Sequence, residues 1–475
     1  MRRTHIFFLF FIIGIFMAFF PQNSNAEISL EMLQEGIPAF DLQEAKDFTN
    51  EIVPFVENAV GRKFTKIPEI VIADRTMMTR LLTAELKPQL ENLYPSYSVE
   101  EIEQLSLLQA RILSISLLGK YGIGDGKLYL LPRNLPPLLK LIKSDDEDAK
   151  SILKLILAHE FTHALQDQEV NLKRVNQITQ FDQFNAFSAV FEGHAVWVQD
   201  TVGRQMGLHD TIVTMSRMMS AGAIEFEDPA MQIINKMVAS KYEQIYLGGE
   251  KFIDYFYQQG GNDKVWQILI EPPQKTSMIL KPETYDNKPV SEPDYAILFQ
   301  NLAKEFDSQV WQVQNRALGQ MEARAVYSQI EPTDREKILN QIVHIQTYAA
   351  QNIEAQSIVN ISAIVIQDSQ VIPTYIKLLE NLVQKNVKLM KSSPTIKIKD
   401  FEISGFSALQ ADSAHKITFI LTGKNISAKQ TFVRICKGNL MLEVYLNNYP
   451  MNDTKIAQIA DDIFKRYQKL SKEDH

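Results

Sequence analysis

The sequence predicts an α+β protein in which a mainly helical region with one short edge strand precedes a smaller α+β module. Apolar residues recur at spacings of three and four through Met77–Leu90 and again through Ile102–Leu118, which is the periodicity of amphipathic helices. Beyond about residue 350 the pattern changes to short stretches rich in β-branched residues, separated by turn-forming residues. We therefore expect two domains, at residues 27–349 and 350–475, after a leader at residues 1–26.

The first 26 residues have the pattern of a secretory signal peptide. Arg2 and Arg3 are followed by an apolar run from Ile6 to Phe20 and by the small-residue site Ser24–Ala26. The run is shorter than the ~20 residues that span a bilayer, so cleavage after Ala26 is favoured over an uncleaved anchor. We expect the mature chain to be exported, to the extracellular space, the periplasm or the cell envelope, with no membrane span.

Charge and cysteine content exclude several classes of protein. The 475-residue chain has a net charge of −8, and loss of two arginines with the leader changes this to −10, which gives no general affinity for nucleic acid. Cys436 is the only cysteine, so an internal disulfide and a thiolate zinc cluster are both excluded.

The helical region contains two segments that matter for chemistry. From Leu30 to about Leu118 the pattern is mainly helical, and Gly119–Gly126 predicts a turn before a short strand at Lys127–Leu131. The acidic stretch Ser144–Asp148 then precedes a long apolar helix from Ala149 to about Gln168, where acids suit the helix dipole. A second helix is predicted from Asp182 to about Met206.

The rest of the chain is predicted more coarsely. Gly260–Gly261 indicates a turn, prolines mark a loop over Pro272–Tyr285, and residues 295–350 have a helical pattern. The C-terminal module is predicted to contain a β-branched segment, two helices and four strands: Ile358–Ile366, Pro373–Met390, Thr395–Ile403, Lys416–Gly423, Gln430–Lys437, Leu440–Leu446 and Asp453–Leu470.

His159, Glu160 and His163 form an HExxH motif on the first long helix. Two histidines one turn apart present their imidazoles on one face of the helix to one metal ion, and Glu160 lies beside the metal's open position as a general base. Such a short pattern also occurs by chance, in which case the histidines would only pack. The buried character of the helix and the export signal favour the metal site.

The third ligand is expected from the second helix, in Phe191–Ala195. Glu192 and His194 are about 200° apart around a helix at ~100° per residue, so only one of them can face the metal. Glu192 shares its face with small residues and adds a negative charge, which favours it over His194. Gly193 is a poor helix former, and its position predicts close approach by another backbone.

The stretch His159–Gln168 (HEFTHALQDQ), with Glu192–Ala195 (EGHA), resembles bacterial zinc metallopeptidases of the gluzincin type, which carry HExxHALxDQ and then an EGxA glutamate ligand. The resemblance extends over roughly residues 120–290. It implies a zincin-like fold for residues 27–349, Zn²⁺ bound by His159, His163 and Glu192, and peptide-bond hydrolysis with Glu160 as general base.

The loop after Pro272 departs from that group's pattern. Ser277–Met278 replace a Glu-Gln pair, and Lys281 stands where that group often has a histidine. Lys281 supplies a positive charge for substrate or transition state, but it cannot relay protons in the same pH range. The departure puts the level of activity in doubt, so a catalytically weak or inactive binding protein of the cell envelope is the alternative. The intact Glu160 argues against that alternative.

Two further side chains are candidates for the site. Asp167, one turn after His163, is either a partner of a metal ligand or a solvent-facing acid. Tyr285 either stabilises a developing oxyanion or closes its loop, and the loop role is favoured. The expected substrate is a protein or peptide, and the C-terminal module is expected to bind a partner or the cell envelope.

Overall fold

The computed structural model describes residues 34–144, 148–219, 229–285, 293–306, 310–352, 354–393, 397–407, 411–423 and 426–473. The fold is α+β, as the sequence predicts. The described residues form two compact units, one of residues 34–219 and 238–285 and the other of residues 229–237 and 293–473. The leader at residues 1–26 lies outside the described residues. Within the described ranges, no helix is both long enough and apolar enough to cross a membrane.

The first unit is mainly helical. Its elements are α1 Leu42–Val60, β1 Ile70–Ile72, α2 Arg75–Leu93, α3 Val99–Ser116, β2 Gly119–Tyr121, β3 Leu128–Leu130, α4 Leu135–Leu141, α5 Ala149–Val170, α6 Phe181–Gln205, α7 His209–Met219, α8 Pro229–Glu243, a π-helical segment Gln244–Gly248, α9 Gly249–Ile270 and α10 Thr276–Leu280. Helix α8 is divided between the two units.

The two long helices α5 and α6 confirm the helices predicted at residues 149–168 and 182–206. The side chain of Asp148 caps α5 by accepting hydrogen bonds from the backbone N–H groups of Lys150 and Ser151, which satisfies donors that a helix start leaves unpaired. Most of α5 and α6 is buried, including the apolar residues Leu153, Leu157, Val190 and Val198. This burial, rather than local propensity, stabilises the helices that carry the site.

A small sheet lies beside α5. Strand β3 pairs in parallel with β1 and antiparallel with β2, so β2 is an edge strand. The strand predicted at residues 127–131 corresponds to β3. The turn predicted over Gly119–Gly126 is only partly correct, because Gly119–Tyr121 already form β2. A strand of this length is too short to show a period-two pattern.

The second unit contains a seven-stranded antiparallel sheet. Its elements are β4 Gln312–Ala317, α11 Gln320–Val326, α12 Pro332–Leu339, β5 Ile342–Asn352, β6 Ser357–Ile366, α13 Ile372–Met390, β7 Lys397–Gly405, β8 Ser413–Gly423, β9 Ile426–Lys437, β10 Leu440–Asn447 and α14 Asp453–Glu473. The strand order in the sheet is β4-β5-β6-β10-β9-β8-β7.

Both faces of this sheet carry apolar clusters. On β10, Leu442 and Val444 belong to the cluster that includes Ile463 of α14, whereas Met441 belongs to the cluster that includes Tyr375 of α13. Successive side chains of a strand point to opposite faces, so the alternation buries α13 and α14 on opposite sides.

The structure corrects two expectations for residues 295–350. The boundary expected near residue 350 falls within β5, whose hydrogen-bonded partners β4 and β6 belong to the same sheet, and the second unit already includes the described residues from 293 onward. The helical pattern read over this stretch is also partly wrong, since β4 and β5 are strands. Sheet pairing between distant segments overrides local helical periodicity here.

Candidate metal centre

His159 and His163 lie one turn apart on α5, and their Nε2 atoms are 3.2 Å apart. The two rings meet edge to face with centroids 4.9 Å apart. Each side chain retains only 12% exposure. The helical spacing therefore places two imidazole nitrogens at one point on a nearly buried face, as the motif predicts.

Glu192 of α6 completes the group. Its Oε2 atom lies 3.3 Å from Nε2 of His159 and 3.4 Å from Nε2 of His163. Donor atoms of a tetrahedral zinc site, at ~2.0–2.1 Å from the metal, are separated by about 3.3–3.4 Å. The three donor atoms thus have the spacing of one face of such a tetrahedron. Among the described residues, these three form the group of histidine and acidic side chains that could hold a metal ion.

Gln166 sets the protonation of His163. Its amide Nε2 donates to the carbonyl of Phe191 at 2.9 Å, so its Oε1 atom is the one that meets Nδ1 of His163, at 2.8 Å. Because Oε1 can only accept, Nδ1 of His163 must carry a hydrogen. In the neutral ring Nε2 then has a free lone pair, which is the form that binds a metal.

The charges of the three side chains favour a cation between them. Burial alone would raise the pKa of Glu192, but the neighbouring His163 and His159 hold that pKa well below its usual range. Burial likewise opposes a charge on His163, and Glu192 overcomes this and raises the pKa of His163. The site thus keeps Glu192 ionised and attracts positive charge.

His194 does not join the group. Its side chain is 1% exposed, its Nδ1 atom accepts a hydrogen bond from Gln166 at 3.1 Å, and its ring packs edge-on against Trp266. Burial, together with the charge of His163, lowers the pKa of His194 to about 3. His194 is therefore a neutral packing residue, in agreement with the geometric argument that only one of Glu192 and His194 faces the site.

The prediction that Gly193 permits close backbone approach is confirmed. A Cβ atom added to Gly193 would lie 2.1 Å from the carbonyl carbon of Gly249, the first residue of α9. A Cβ on Gly249 would in turn lie 2.0 Å from the carbonyl oxygen of Ala189. Helices α6 and α9 therefore touch backbone to backbone immediately beside Glu192.

The π-helical segment Gln244–Gly248 directly precedes this contact, and π-helical turns occur often at functional sites. Tyr246 of this segment has its ring 6.4 Å from that of His159, measured between centroids. Burial, and then the negative charges of Glu192 and Glu160, keep the pKa of Tyr246 well above its usual value. Tyr246 is therefore a neutral hydroxyl donor close to the proposed ligands and the acid of the motif.

Glu160 is 7% exposed and is held by the edge strand. The backbone N–H of Tyr121 in β2 donates to Oε2 of Glu160 at 2.6 Å. A Cβ on Gly119 would lie 2.9 Å from Cγ of Glu160, so β2 can approach this side chain only with glycine there. The contact satisfies one carboxylate oxygen of a buried acid that would otherwise be costly.

Asp167 is linked to Glu160 through Tyr121, and its hydrogen-bond partners are not histidines. Its Oδ2 atom accepts from the hydroxyl of Tyr121 at 2.9 Å, and its Oδ1 atom accepts from the backbone N–H of Leu172 at 2.7 Å. The role of partner to a metal ligand, one of two considered for Asp167, is filled at His163 by Gln166. Asp167 thus anchors the strand residue that holds Glu160.

Tyr285 and Lys281 have different surroundings. The hydroxyl of Tyr285 donates to the carbonyl of Glu271, and its ring packs edge-on against Phe252 and Phe256, which supports the loop-closing role. Lys281 is exposed at the end of α10. Neither side chain belongs to the metal group of His159, His163 and Glu192 found among the described residues.

Three residues at the site were not predicted from the sequence: Tyr121, Gln166 and Tyr246 have roles that appear only in the structure. Gln166 had a detectable signal, since it lies three residues after His163 on the same helix. Tyr121 and Tyr246 come from distant segments and were assigned no role, although both fall within residues 120–290, over which the chain resembles gluzincin-type metallopeptidases.

No family model matches this chain, and no curated protein matches it. Among solved structures, the chain is similar to "a putative hydrolase with a novel fold" from Chloroflexus aurantiacus, with 18% sequence identity and a TM-score of 0.37, over 54% of this chain and 95% of that one. A similarity at this level supports no argument about activity, so function has to be inferred from the site itself.

Proposed function

We propose that this chain is an exported zinc-dependent peptidase whose metal is held by His159, His163 and Glu192. The observation that carries the proposal is the mutual spacing of the three donor atoms, 3.2 to 3.4 Å, with Glu160 adjacent on the same helix. The resemblance of the surrounding sequence to gluzincin-type metallopeptidases supports it.

The donor set fits catalytic rather than structural zinc. Two neutral imidazoles and one carboxylate leave a fourth position open, and Cys436, the only thiol of the chain, lies in the other unit. Zinc held there supplies Lewis acidity and lowers the pKa of water towards ~7. Glu192 offsets part of the cation's charge, and Gln166 keeps His163 in the ligating tautomer.

Glu160 is the proposed general base. With Oε2 occupied by the N–H of Tyr121, the carboxylate has a fixed orientation, and its second oxygen is left to accept a proton from the attacking water. The proton then passes to the nitrogen of the departing amine. Tyr246 is the proposed hydroxyl donor to the oxygen that becomes negative as the peptide carbonyl is attacked.

Export and the role of the second unit remain part of the proposal. The arrangement of Arg2, Arg3, the apolar run and Ser24–Ala26 predicts cleavage after Ala26, and amino-terminal sequencing of the exported protein tests this. The unit that contains the seven-stranded sheet has no part in the metal group and is proposed to bind a partner or the cell envelope.

The test combines metal analysis with peptide hydrolysis. We expect purified protein to contain one zinc per chain and to cleave unfolded casein or a quenched peptide library. Glu160→Gln should keep the metal and lower hydrolysis by about a hundred- to ten-thousand-fold, since an amide cannot accept the proton. Glu169→Gln makes the same change on the same helix at an exposed position and should leave the rate unaltered.

Three outcomes distinguish the zinc peptidase from the alternatives. Zinc without hydrolysis in the wild-type protein would favour the binding-protein alternative. Hydrolysis that persists in Glu160→Gln would exclude Glu160 as the base. Absence of zinc from the wild-type protein, with the fold intact, would overturn the metal site.

A further inference from the structure

Helices α5 and α6 run antiparallel past one another. At one end, a Cβ on Gly203 would lie 3.0 Å from Cδ2 of Leu155, and at the other end Gln166 donates to the carbonyl of Phe191. Four residues after Leu155 on α5 is His159, and four residues before Gly203 on α6 is residue 199. Because the helices are antiparallel, His159 lies opposite residue 199. The end of α6 beyond Glu192 therefore passes beside His159.

His159 has one ring nitrogen without a partner. Nε2 faces Glu192 and His163, whereas Nδ1 is buried and has no hydrogen-bond partner among the described residues. A histidine that binds a metal almost always donates its other N–H to a carboxylate, a carbonyl or water. Gln166 accepts the N–H of Nδ1 in His163. Among the described residues, no direct contact does the same for Nδ1 of His159.

Two polar side chains of α6 are buried at this level. Asp200 is 6% exposed, and its Oδ1 atom accepts from Nε2 of Gln199 at 3.2 Å. Gln199 is fully buried, and its Oε1 atom has no partner among the described residues. Residue 199 lies opposite His159 by the count above, and Asp200 is both its neighbour on α6 and its hydrogen-bond partner.

We propose that Asp200 positions His159 through one buried water. The water would accept the N–H of Nδ1 and donate its two hydrogens to the carboxylate of Asp200 and to Oε1 of Gln199. These three groups supply the two to four polar partners that a buried water needs. The linkage leaves the lone pair of His159 Nε2 free for the metal, makes the ring a stronger ligand, and accounts for a buried carboxylate on this face of α6.

The inference rests on the proposed zinc site, and zinc affinity measured against a chelating dye tests both. Asp200→Asn should weaken zinc binding by about ten- to a hundred-fold, and Asp200→Ala by at least as much. Asp254→Asn is the control, because Asp254 accepts from the indole N–H of Trp197 and does not belong to the metal group, so this change should leave affinity unchanged. Circular dichroism and thermal unfolding verify the fold of each variant.

A measurement on the wild-type protein does not depend on variant folding. In a high-resolution structure of the zinc-loaded protein, we expect an ordered water within hydrogen-bonding distance of His159 Nδ1, the Asp200 carboxylate and Gln199 Oε1. Wild-type affinity retained in Asp200→Ala, or no water at this position, would overturn the inference and leave the zinc site standing. Absence of zinc from the wild-type protein would overturn both.

Discussion

Gly193 of α6 and Gly249 of α9 bring two helix backbones into direct contact, and this contact positions Glu192. A Cβ atom at residue 193 would lie 2.1 Å from the carbonyl carbon of Gly249, and a separation that short cannot be relieved by a side-chain rotation. The two helices must separate if either glycine is replaced. Helix packing and the position of a candidate metal ligand are therefore coupled at one point of the fold.

Gly193→Ala should consequently destabilise the protein by about 1–3 kcal/mol or more, the usual cost of overpacking, and should weaken metal binding. Urea unfolding and zinc content measure the two effects. Gly124→Ala is the matched control, since nothing lies within 4 Å of its Cβ position, and it should change stability by no more than about 0.5 kcal/mol. Equal stability of the two variants would mean that the close approach is not required.

Glu192→Ala and His194→Ala should differ in metal content. Glu192 supplies a donor atom to the group, whereas His194 packs against Trp266 and contacts Gln166. We expect Glu192→Ala to lose zinc and His194→Ala to keep one equivalent while unfolding more easily, as measured by metal analysis and thermal unfolding. The opposite pattern would make His194 the ligand.

Tyr246→Phe and Tyr285→Phe test which tyrosine assists the reaction. Loss of a hydroxyl that stabilises a developing negative charge should lower kcat by about a hundred- to a thousand-fold, with a smaller change in KM and with zinc retained. Tyr285→Phe removes the hydrogen bond that closes the loop onto the Glu271 carbonyl, so kcat should stay within about two-fold while the loop becomes less stable. A larger kcat loss in Tyr285→Phe would restore the oxyanion role considered for Tyr285.

Glu250 should make stability depend on pH. Burial, and then the charge of Asp200, raise the pKa of Glu250 from 4.5 to about 7. Between these values the folded protein binds more protons than the unfolded chain. The contribution of Glu250 to the free energy of unfolding is therefore fully present below pH ~4.5 and is lost as pH rises through ~7. The free energy of unfolding of Glu250→Gln, relative to that of wild type, should therefore be higher at pH 8 than at pH 5.

Urea unfolding of metal-free protein at both pH values measures this difference. The exposed acid Glu283 provides the control, since Glu283→Gln should shift stability equally at the two pH values. Parallel behaviour of Glu250→Gln and Glu283→Gln would show that the environment of Glu250 does not disfavour its charge.

The sequence identified the parts of the site that lie within single helices. His159, Glu160 and His163 are related by helical periodicity alone. The angular separation of Glu192 and His194 allows only one of them to face the metal group, and the small residues and negative charge on the Glu192 face favour Glu192. Gly193 was informative because glycine within a helix is costly unless a neighbour needs the space. The domain boundary near residue 350 was wrong because strand pairing is invisible in a local pattern.

By itself the sequence determined the candidate metal-ligand set, the two helices that carry it and the α+β class, because each follows from residue type and spacing over one or two dozen positions. Only the tertiary structure decided that Tyr121 holds Glu160, that Tyr246 faces His159 and that Asp167 acts through Tyr121. These contacts join segments far apart in the chain, and they depend on how β2 and α9 pack against α5 and α6. Packing of this kind is set by the whole apolar core and by the backbone contact at Gly193, so no local pattern encodes it.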